Sequence, residues 1–509
     1  MKENRANYVI RNLISSLVNT VVGTILPFLV RTVTIKYLGS EYMGLNNLCT
    51  SILYVLNAAD LGIANAFAFR LYKPVAEHNT VEIQKLLNFY RKVYFWIGAF
   101  IFCAGLCLMP FLKCFISQDL PDGINIYFVY FLYLINSAIS YMTFAYKNLI
   151  FTATQRRDYS SIITTICFLV LYGAQIVFII TGHYYFSVCM LPICTILENI
   201  IRNIVAKRKY PLYFPKGNVS LEVKRSIKSD VLSVAVYKFR DISRNTFDSI
   251  VISTFAGLVT LSNYQNYYTI FSVPNLLLQI VYGSIVPSIG NYAATENIDD
   301  TYKVYKKNIF IQTFLAGWFA LCYGFLIQDF IVIWLGSEYR MSNLLALLFA
   351  IYIYLAGENF IMRLIRESVG LWNYGRRCAV VEMILNLVLN VVFMKIFGVE
   401  GIILATITSM LLVTIPMENY IVYKHYFVGK FTDRCKMAAA NMMWLVITAL
   451  LVLGLLQFTP DIYVLSFCYK VFVCMIIPPI TLMVGFRRTE EFRYIKHVIM
   501  ERVCSNRNK

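Results

Sequence analysis

The stretch from Val236 to Ser253, VYKFRDISRNTFDSIVIS, sets five charged side chains immediately before the apolar run TFAGLVTLSNYQNYYTIFSVPNLLL. Charges at such a depth must face a bundle interior or a watered cavity, because lipid cannot solvate them. At 100° per residue, Arg240, Asp241, Arg244 and Asp248 share one arc of about 100°, with Lys238 beside it. The stretch therefore reads as a membrane helix with a polar stripe of net positive charge, and the rest of the chain must supply the bundle around it.

Composition supports that reading. The chain has 509 residues, of which 59% are hydrophobic and 15% charged, and its mean hydropathy is +0.62. A water-soluble surface cannot be built from so few charges. The first apolar run, Leu13 to Ile35, is too long for a signal-peptide core and has no small-residue cleavage site, so it reads as a first membrane helix. Crossing the bilayer takes about 20 apolar residues. Fourteen segments qualify, near 12–35, 43–69, 93–112, 124–146, 159–181, 185–206, 229–256, 263–290, 309–335, 343–362, 378–397, 400–423, 437–456 and 463–486. With a cytoplasmic N-terminus, the outward loops would hold only Lys36, Lys113, Arg340 and Lys395 of the 46 Lys and Arg. That bias puts both termini in the cytoplasm. It also accounts for the +18 net charge through the lipid headgroups, with no need for nucleic acid.

The chain repeats internally. IKYLGSEYMGLNNL joins the first two spans and STFAGLVTLSNYQN joins spans seven and eight, aligning Gly39 with Gly257. Almost the same offset separates the starts of spans four and ten, near Ile124 and Asn343. A six-helix repeat returns the chain to the side it left, so the halves are parallel. The expected fold is an all-α polytopic membrane protein with two parallel six-helix bundles and two C-terminal helices. Its parts would be an N-terminal lobe at 1–206, a basic cytoplasmic linker at 207–228, a C-terminal lobe at 229–425, and spans thirteen and fourteen with a basic tail at 426–509.

Other chemistry finds little support. Most of the 13 cysteines lie inside apolar runs and none forms a C-x-x-C pair, while the four histidines stand singly, so no metal site or disulfide framework is expected. The outward loops are short, Lys113 to Gly123 being the longest, which leaves no external domain for catalysis. No phosphate-binding loop for a nucleotide occurs.

Candidate functional residues are the polar groups within the spans. Span one carries Asn12, Ser16, Asn19, Gly23, Pro27 and Arg31 at three- or four-residue intervals. Span two carries Asn46, Thr50, Asn57 and Asp60, and span eight carries Pro274, Asn275, Gln279, Gly283 and Pro287. By the repeat, spans one, two, seven and eight would line a central cavity. Bland readings compete: small residues on span one equally serve helix packing, Arg31 could snorkel to the headgroups, and the span-seven charges could neutralise one another. Glu358, Glu382 and Glu418 are further intramembrane acids, and Glu382 shares a face with Asn386 and Asn390. Arg363, Arg366, Arg376 and Arg377 read as anchors on the cytoplasmic side. Excess Arg and Lys favours an anionic, phosphate-bearing cargo, whereas a drug-cation exporter needs acids and an aromatic box.

The hairpin RTVTIKYLGSEYMGLNNLCTSILYVLNAADLGIANAFAFRLYKPVAEHN (Arg31 to Asn79) resembles that of Wzx-type polysaccharide flippases, in the multidrug/oligosaccharidyl-lipid/polysaccharide (MOP) exporter superfamily. GLWNYGRRCAVVEMILNLVLNVVFMKIFGVEGIILATI (Gly370 to Ile407) resembles their spans eleven and twelve. The resemblance, which covers nearly the whole chain, implies a MATE-like flippase of the bacterial cytoplasmic membrane. Its cargo would be undecaprenyl-pyrophosphate-linked oligosaccharide repeat units for O-antigen, capsule or exopolysaccharide, passed on to polymerase machinery. On charge and position, Arg31, Lys238, Arg240 and Arg244 would hold the pyrophosphate, and Asp60, Asp241, Asp248 and Glu382 would balance charge or bind a coupling ion. No cofactor is implied, and a proton, sodium or the membrane potential could drive the cycle. Lipid II, a teichoic acid-type precursor or a drug cation stay open as other cargoes on this fold. A membrane glycosyltransferase or polymerase is the enzymatic rival.

Overall fold

Helices make up nearly all of the computed structural model, which describes residues 5–60, 63–117, 120–121, 123–460 and 462–494; the side chains of 5–10, 228–245 and a few single positions such as Pro287 lie outside that description. No strand occurs among the described residues. Among the described residues, eleven helices are long and apolar enough to cross a membrane, or twelve if Ile126–Met142 and Phe144–Ala153, bent by 44°, form one span. The 50-residue run Thr246–Thr295 is counted there as one, yet it is broken at Gly257 (φ 84, ψ 176). Ser40–Asn57 and Ile63–Ala76 are two shorter helices that the count leaves out. The pattern is compatible with fourteen crossings.

The chain divides into two compact units, 1–262 and 263–509. The first contains α1 (Arg5–Tyr37), α2 (Ser40–Asn57), α3 (Ile63–Ala76), α4 (Thr80–Leu108), α5 (Ile126–Met142), α6 (Asn148–Ala153), α7 (Arg157–Ile180), α8 (Tyr184–Lys209) and the start of α9 (Leu221–Thr295). Asn79 caps α4 through the Glu82 amide, and Asn125 caps α5 through the amides of Tyr127 and Phe128. The core lies among α2, α4 and α5, where Leu45, Leu48, Leu87, Ile101, Val129 and Leu134 are fully buried. Small residues bring these helices close. A Cβ on Gly105 of α4 would lie 2.2 Å from Leu134 Cδ1 of α5. A Cβ on Gly44 of α2 would lie 2.1 Å from the Leu258 carbonyl oxygen just past the break in α9.

Gly39 and Gly257, aligned in the sequence repeat, share one backbone conformation (φ 108, ψ 167 and φ 84, ψ 176) that a side chain would strain. The pentapeptide LGSEY occurs twice, at Leu38–Tyr42 and Leu335–Tyr339, and Gly336 has the same geometry (φ 122, ψ 166). The segment expected to link the lobes is strapped onto the first unit. The Lys216 amide donates to Gln84 O, Gln84 Nε2 to Leu212 O, and Asn88 Nδ2 to Gly217 O at 2.6 Å. Buried Lys147 donates to Tyr213 O.

The second unit holds the rest of α9, α10 (Ile298–Trp334), α11 (Asn343–Ser368), α12 (Trp372–Phe397), α13 (Glu400–Ser409), a π-helical turn (Met410–Thr414), α14 (Ile415–His425), α15 (Phe431–Leu455) and α16 (Tyr463–Phe486). α11 is its axial helix, buried along most of its length against α10, α13 and α14. Its Ile361 and Ile365 pack with Tyr305 and Ile309 of α10 and with Phe427. α16 is fastened to α10 by polar contacts: Lys470 pairs with Asp329 at 2.7 Å, and Trp318 Nε1 donates to Cys474 O.

Arg366, expected to be a headgroup anchor, is fully buried and pairs with Glu418 at 3.1 Å. Its charge follows α11 into the bundle because α14 supplies a carboxylate there. Arg434, placed by sequence in a cytoplasmic loop, is likewise buried in α15, bonded to Glu358 of α11.

Candidate functional site

The polar stripe of α1 divides into two parts with different roles. Its first half zips α1 to α7. Asn12 Nδ2 donates to Gln155 O, Asn12 Oδ1 accepts from the Asp158 amide at 2.8 Å, and Asn19 Oδ1 accepts from Thr165 Oγ1 at 3.1 Å. Gly23 faces Phe168 of the same helix. These positions pack one helix on another, which corrects the expectation that the whole stripe lines a cavity. The second half, Pro27 and Arg31, opens onto a cavity of about 440 Å³ within the first unit.

Arg31 is buried, only 6% exposed, and does not snorkel. Its Nη2 donates to Ser262 O at 3.0 Å and its Nη1 lies 3.4 Å from Asn47 Oδ1. The α2 stripe is delivered as its spacing demands, with Asn46, Thr50, Leu53 and Asn57 on the cavity wall. Opposite stand Tyr133, Asn136 and Ser137 of α5 and Tyr172 and Gln175 of α7. None of these five was singled out in the sequence. The signal was there in α5, where 133, 136, 137 and 140 recur at helical spacing inside an apolar run.

The asparagines are oriented alike. Asn46 Oδ1 accepts from the Tyr184 hydroxyl, Asn57 Oδ1 from Ser137 and Asn136 Oδ1 from Thr195, each at 2.6 Å, while Asn47 Oδ1 faces Arg31. Their carbonyl oxygens accept from the protein, which leaves their NH₂ groups as the donors these side chains bring to the cavity that Arg31 also lines. The buried Asn47 Nδ2 has no hydrogen-bond partner. Among the described residues, no Asp or Glu belongs to the lining. An aqueous pocket with this wall offers hydrogen-bond donors and positive charge, the complement of an acceptor-rich anion.

The other expected residues fall as follows. Asp60, in a short 3₁₀ turn after α2, accepts from the Tyr94 hydroxyl at 3.3 Å and is not part of this lining. Tyr94, Tyr90, Tyr141, Arg157 and Arg202 surround a second polar pocket of about 490 Å³ in the same unit, and Ser140 belongs to both. Asp248 is buried in α9. Lys238, Arg240, Asp241 and Arg244 lie in α9 as well, but their side chains are outside the described residues. Glu382 belongs to the second unit. It is buried on α12 on the face of Asn386, whose Nδ2 donates to Thr406 Oγ1 at 3.2 Å and lies 3.4 Å from Ser409 Oγ, and of Asn390, also buried. No group of three or more metal-ligating side chains occurs among the described residues.

No family model and no curated protein matches the chain. Solved structures do. A lipid II flippase MurJ in an inward closed conformation superposes with a TM-score of 0.70 at 12% identity, covering 94% of this chain and 99% of that one. An inward-facing multidrug resistance MATE family transporter of the MOP superfamily gives 0.59 at 11% identity, covering 84% and 98%. A MOP superfamily transporter from Pyrococcus furiosus, described as having a binding pocket of reverse polarity, gives 0.55 at 11% identity, covering 84% and 96%. These neighbours are transporters and flippases, and they match nearly from end to end. This multi-pass membrane chain therefore has the fold that these MurJ and MATE structures share.

Proposed function

We propose that the protein is a flippase for an undecaprenyl-pyrophosphate-linked oligosaccharide, carried across the bacterial cytoplasmic membrane by alternating access for surface polysaccharide synthesis. The observation that carries this reading is the donor-lined cavity of the first unit. Four asparagine amides and the Arg31 guanidinium suit phosphate oxygens and sugar hydroxyls. The tyrosines beside them add flat faces for pyranose rings. A drug cation would meet no acid among the described residues of this wall. The span-seven residues Lys238, Arg240 and Arg244 extend the positive stripe in this reading. Asp60, Asp241, Asp248 and Glu382 are its charge-balancing or ion-coupling groups. The cargo is handed to polymerase machinery on the far face, and both termini stay in the cytoplasm.

Lipid II is the second reading, favoured by the MurJ likeness over 94% of the chain. Its headgroup carries the same pyrophosphate and a sugar-peptide in place of an oligosaccharide.

The test is deletion in the host, with lipid-linked oligosaccharides measured on each face of the membrane. Complementation would use wild type, Arg31→Ala, or the Arg240→Ala/Arg244→Ala pair. Accumulation on the cytoplasmic face, cured by wild type and by neither variant, is expected. Normal export in the deletion strain, together with rescue of a strain depleted of its lipid II flippase, would replace the first reading by the second. Rescue by Arg31→Ala would remove the cavity from the argument.

A further inference from the structure

A separate groove of about 500 Å³ runs along the outer face of α4. Its floor is Phe89, Val93, Trp96, Ile97 and Phe100, and one end is closed by Asn218 and Val219 of the strap and by Lys92 and Lys224. The spacing 89, 93, 96, 97, 100 is one face of a helix. From Val93 to Leu112 the chain carries no charge, so Lys92 marks where α4 enters the hydrocarbon. Trp96, 71% exposed, follows one turn below, at the depth tryptophan prefers. Phe100 lies a further turn down, also exposed.

The two lysines are available. Among the described residues neither makes an ion pair. Lys92 Nζ donates to Asn218 Oδ1 at 3.2 Å, and Lys224 Nζ sits 5.8 Å from the centre of the Phe89 ring. Two ammonium groups at headgroup level above an open aromatic channel complement a lipid with an anionic head and apolar tails.

We propose that this groove binds an anionic phospholipid, its phosphodiester between Lys92 and Lys224 and its acyl chains along Trp96 and Phe100. The strap is tied to α4 on the protein side through Asn88 and Lys92. The lipid would tie it a second time, through Lys224 at the first turn of α9. The site is independent of the cargo cavity.

Trp96 allows the site to be read directly. The full chain is reconstituted in phosphatidylcholine bilayers containing brominated phosphatidylglycerol or brominated phosphatidylcholine. Quenching at Trp96 is taken as the difference between wild type and Trp96→Phe, which subtracts the other four tryptophans of the five. A lysine at the membrane surface contributes enough attraction to favour the anionic lipid by about fivefold, and two by about thirtyfold. The expected result is a phosphatidylglycerol preference in that range, falling to near unity in Lys92→Gln/Lys224→Gln and persisting in Lys436→Gln, an exposed control in α15. Equal quenching by both lipids in wild type would overturn the proposal, as would a preference unchanged in the double variant. Neither outcome bears on the cargo.

Discussion

Replacing Glu358 by Gln tests whether α15 is held to α11 by a buried ion pair. Glu358 and Arg434 are 9% and 5% exposed, and Glu358 also accepts from Thr313 Oγ1 at 2.9 Å. The amide variant keeps the shape and leaves a guanidinium that cannot shed its proton. Stranding one member of a buried pair costs about 3–5 kcal/mol. For 509 residues at about 2 cal/mol/K each, the unfolding entropy is about 1 kcal/mol/K, so the melting temperature should fall by about 3–5 °C. Arg434→Met should cost less, since a stranded carboxylic acid can hold a proton and keeps its Thr313 bond. Glu358→Leu/Arg434→Met should melt within about 1–2 °C of wild type, because apolar groups of similar volume replace a buried pair at little cost and Thr313 can turn to its own helix. Intrinsic-fluorescence melting of the detergent-solubilised variants is the assay. If Glu358→Gln and the double variant melt alike, the pair contributes nothing and the reasoning is wrong.

Gly44→Val should abolish recovery of monodisperse protein, since even its Cβ would meet the Leu258 carbonyl at 2.1 Å, whereas Gly23→Ala, 3.1 Å from a movable Phe168 ring, should purify normally. Gly257→Ala must adopt φ 84 with a side chain, at a cost of about 1–3 kcal/mol, read as a similarly small drop in melting temperature. Asn12→Ala removes two bonds between α1 and the start of α7, each worth about 1 kcal/mol, and should speed hydrogen exchange at the Asp158 amide. Asn47→Asp sets a carboxylate beside Arg31, cancels the positive wall and should lower export of an anionic cargo at least about tenfold, measured by the two-face lipid assay.

Much of the fold could be read from the chain because membrane helices announce themselves by length and apolarity. The repeat was legible through Gly39 and Gly257, where a forbidden backbone conformation forces the same residue at equivalent places. The asparagines of α2 were legible as a face because a helix fixes which residues share one. What failed to show was which neighbour that face meets. Asn12 and Arg31 look alike as members of one stripe, and only packing sends the first to α7 and the second to a cavity. Arg366 and Arg434 were misplaced for a related reason. Charge near a span end suggests the headgroups, and a carboxylate on another helix, distant in sequence, overrides it.

The π turn at Met410–Thr414 gives the second unit an angular offset. One extra residue in a turn holds every later side chain back by about 100° relative to a continuous α-helix. Without it, Glu418 would swing out of the bundle and Arg366 would lose its carboxylate. The widened turn therefore acts as a phase correction. A single-residue deletion there would close the turn into a continuous α-helix and leave α14 in phase, whereas the same deletion within α13 would rotate α14 by about 100°.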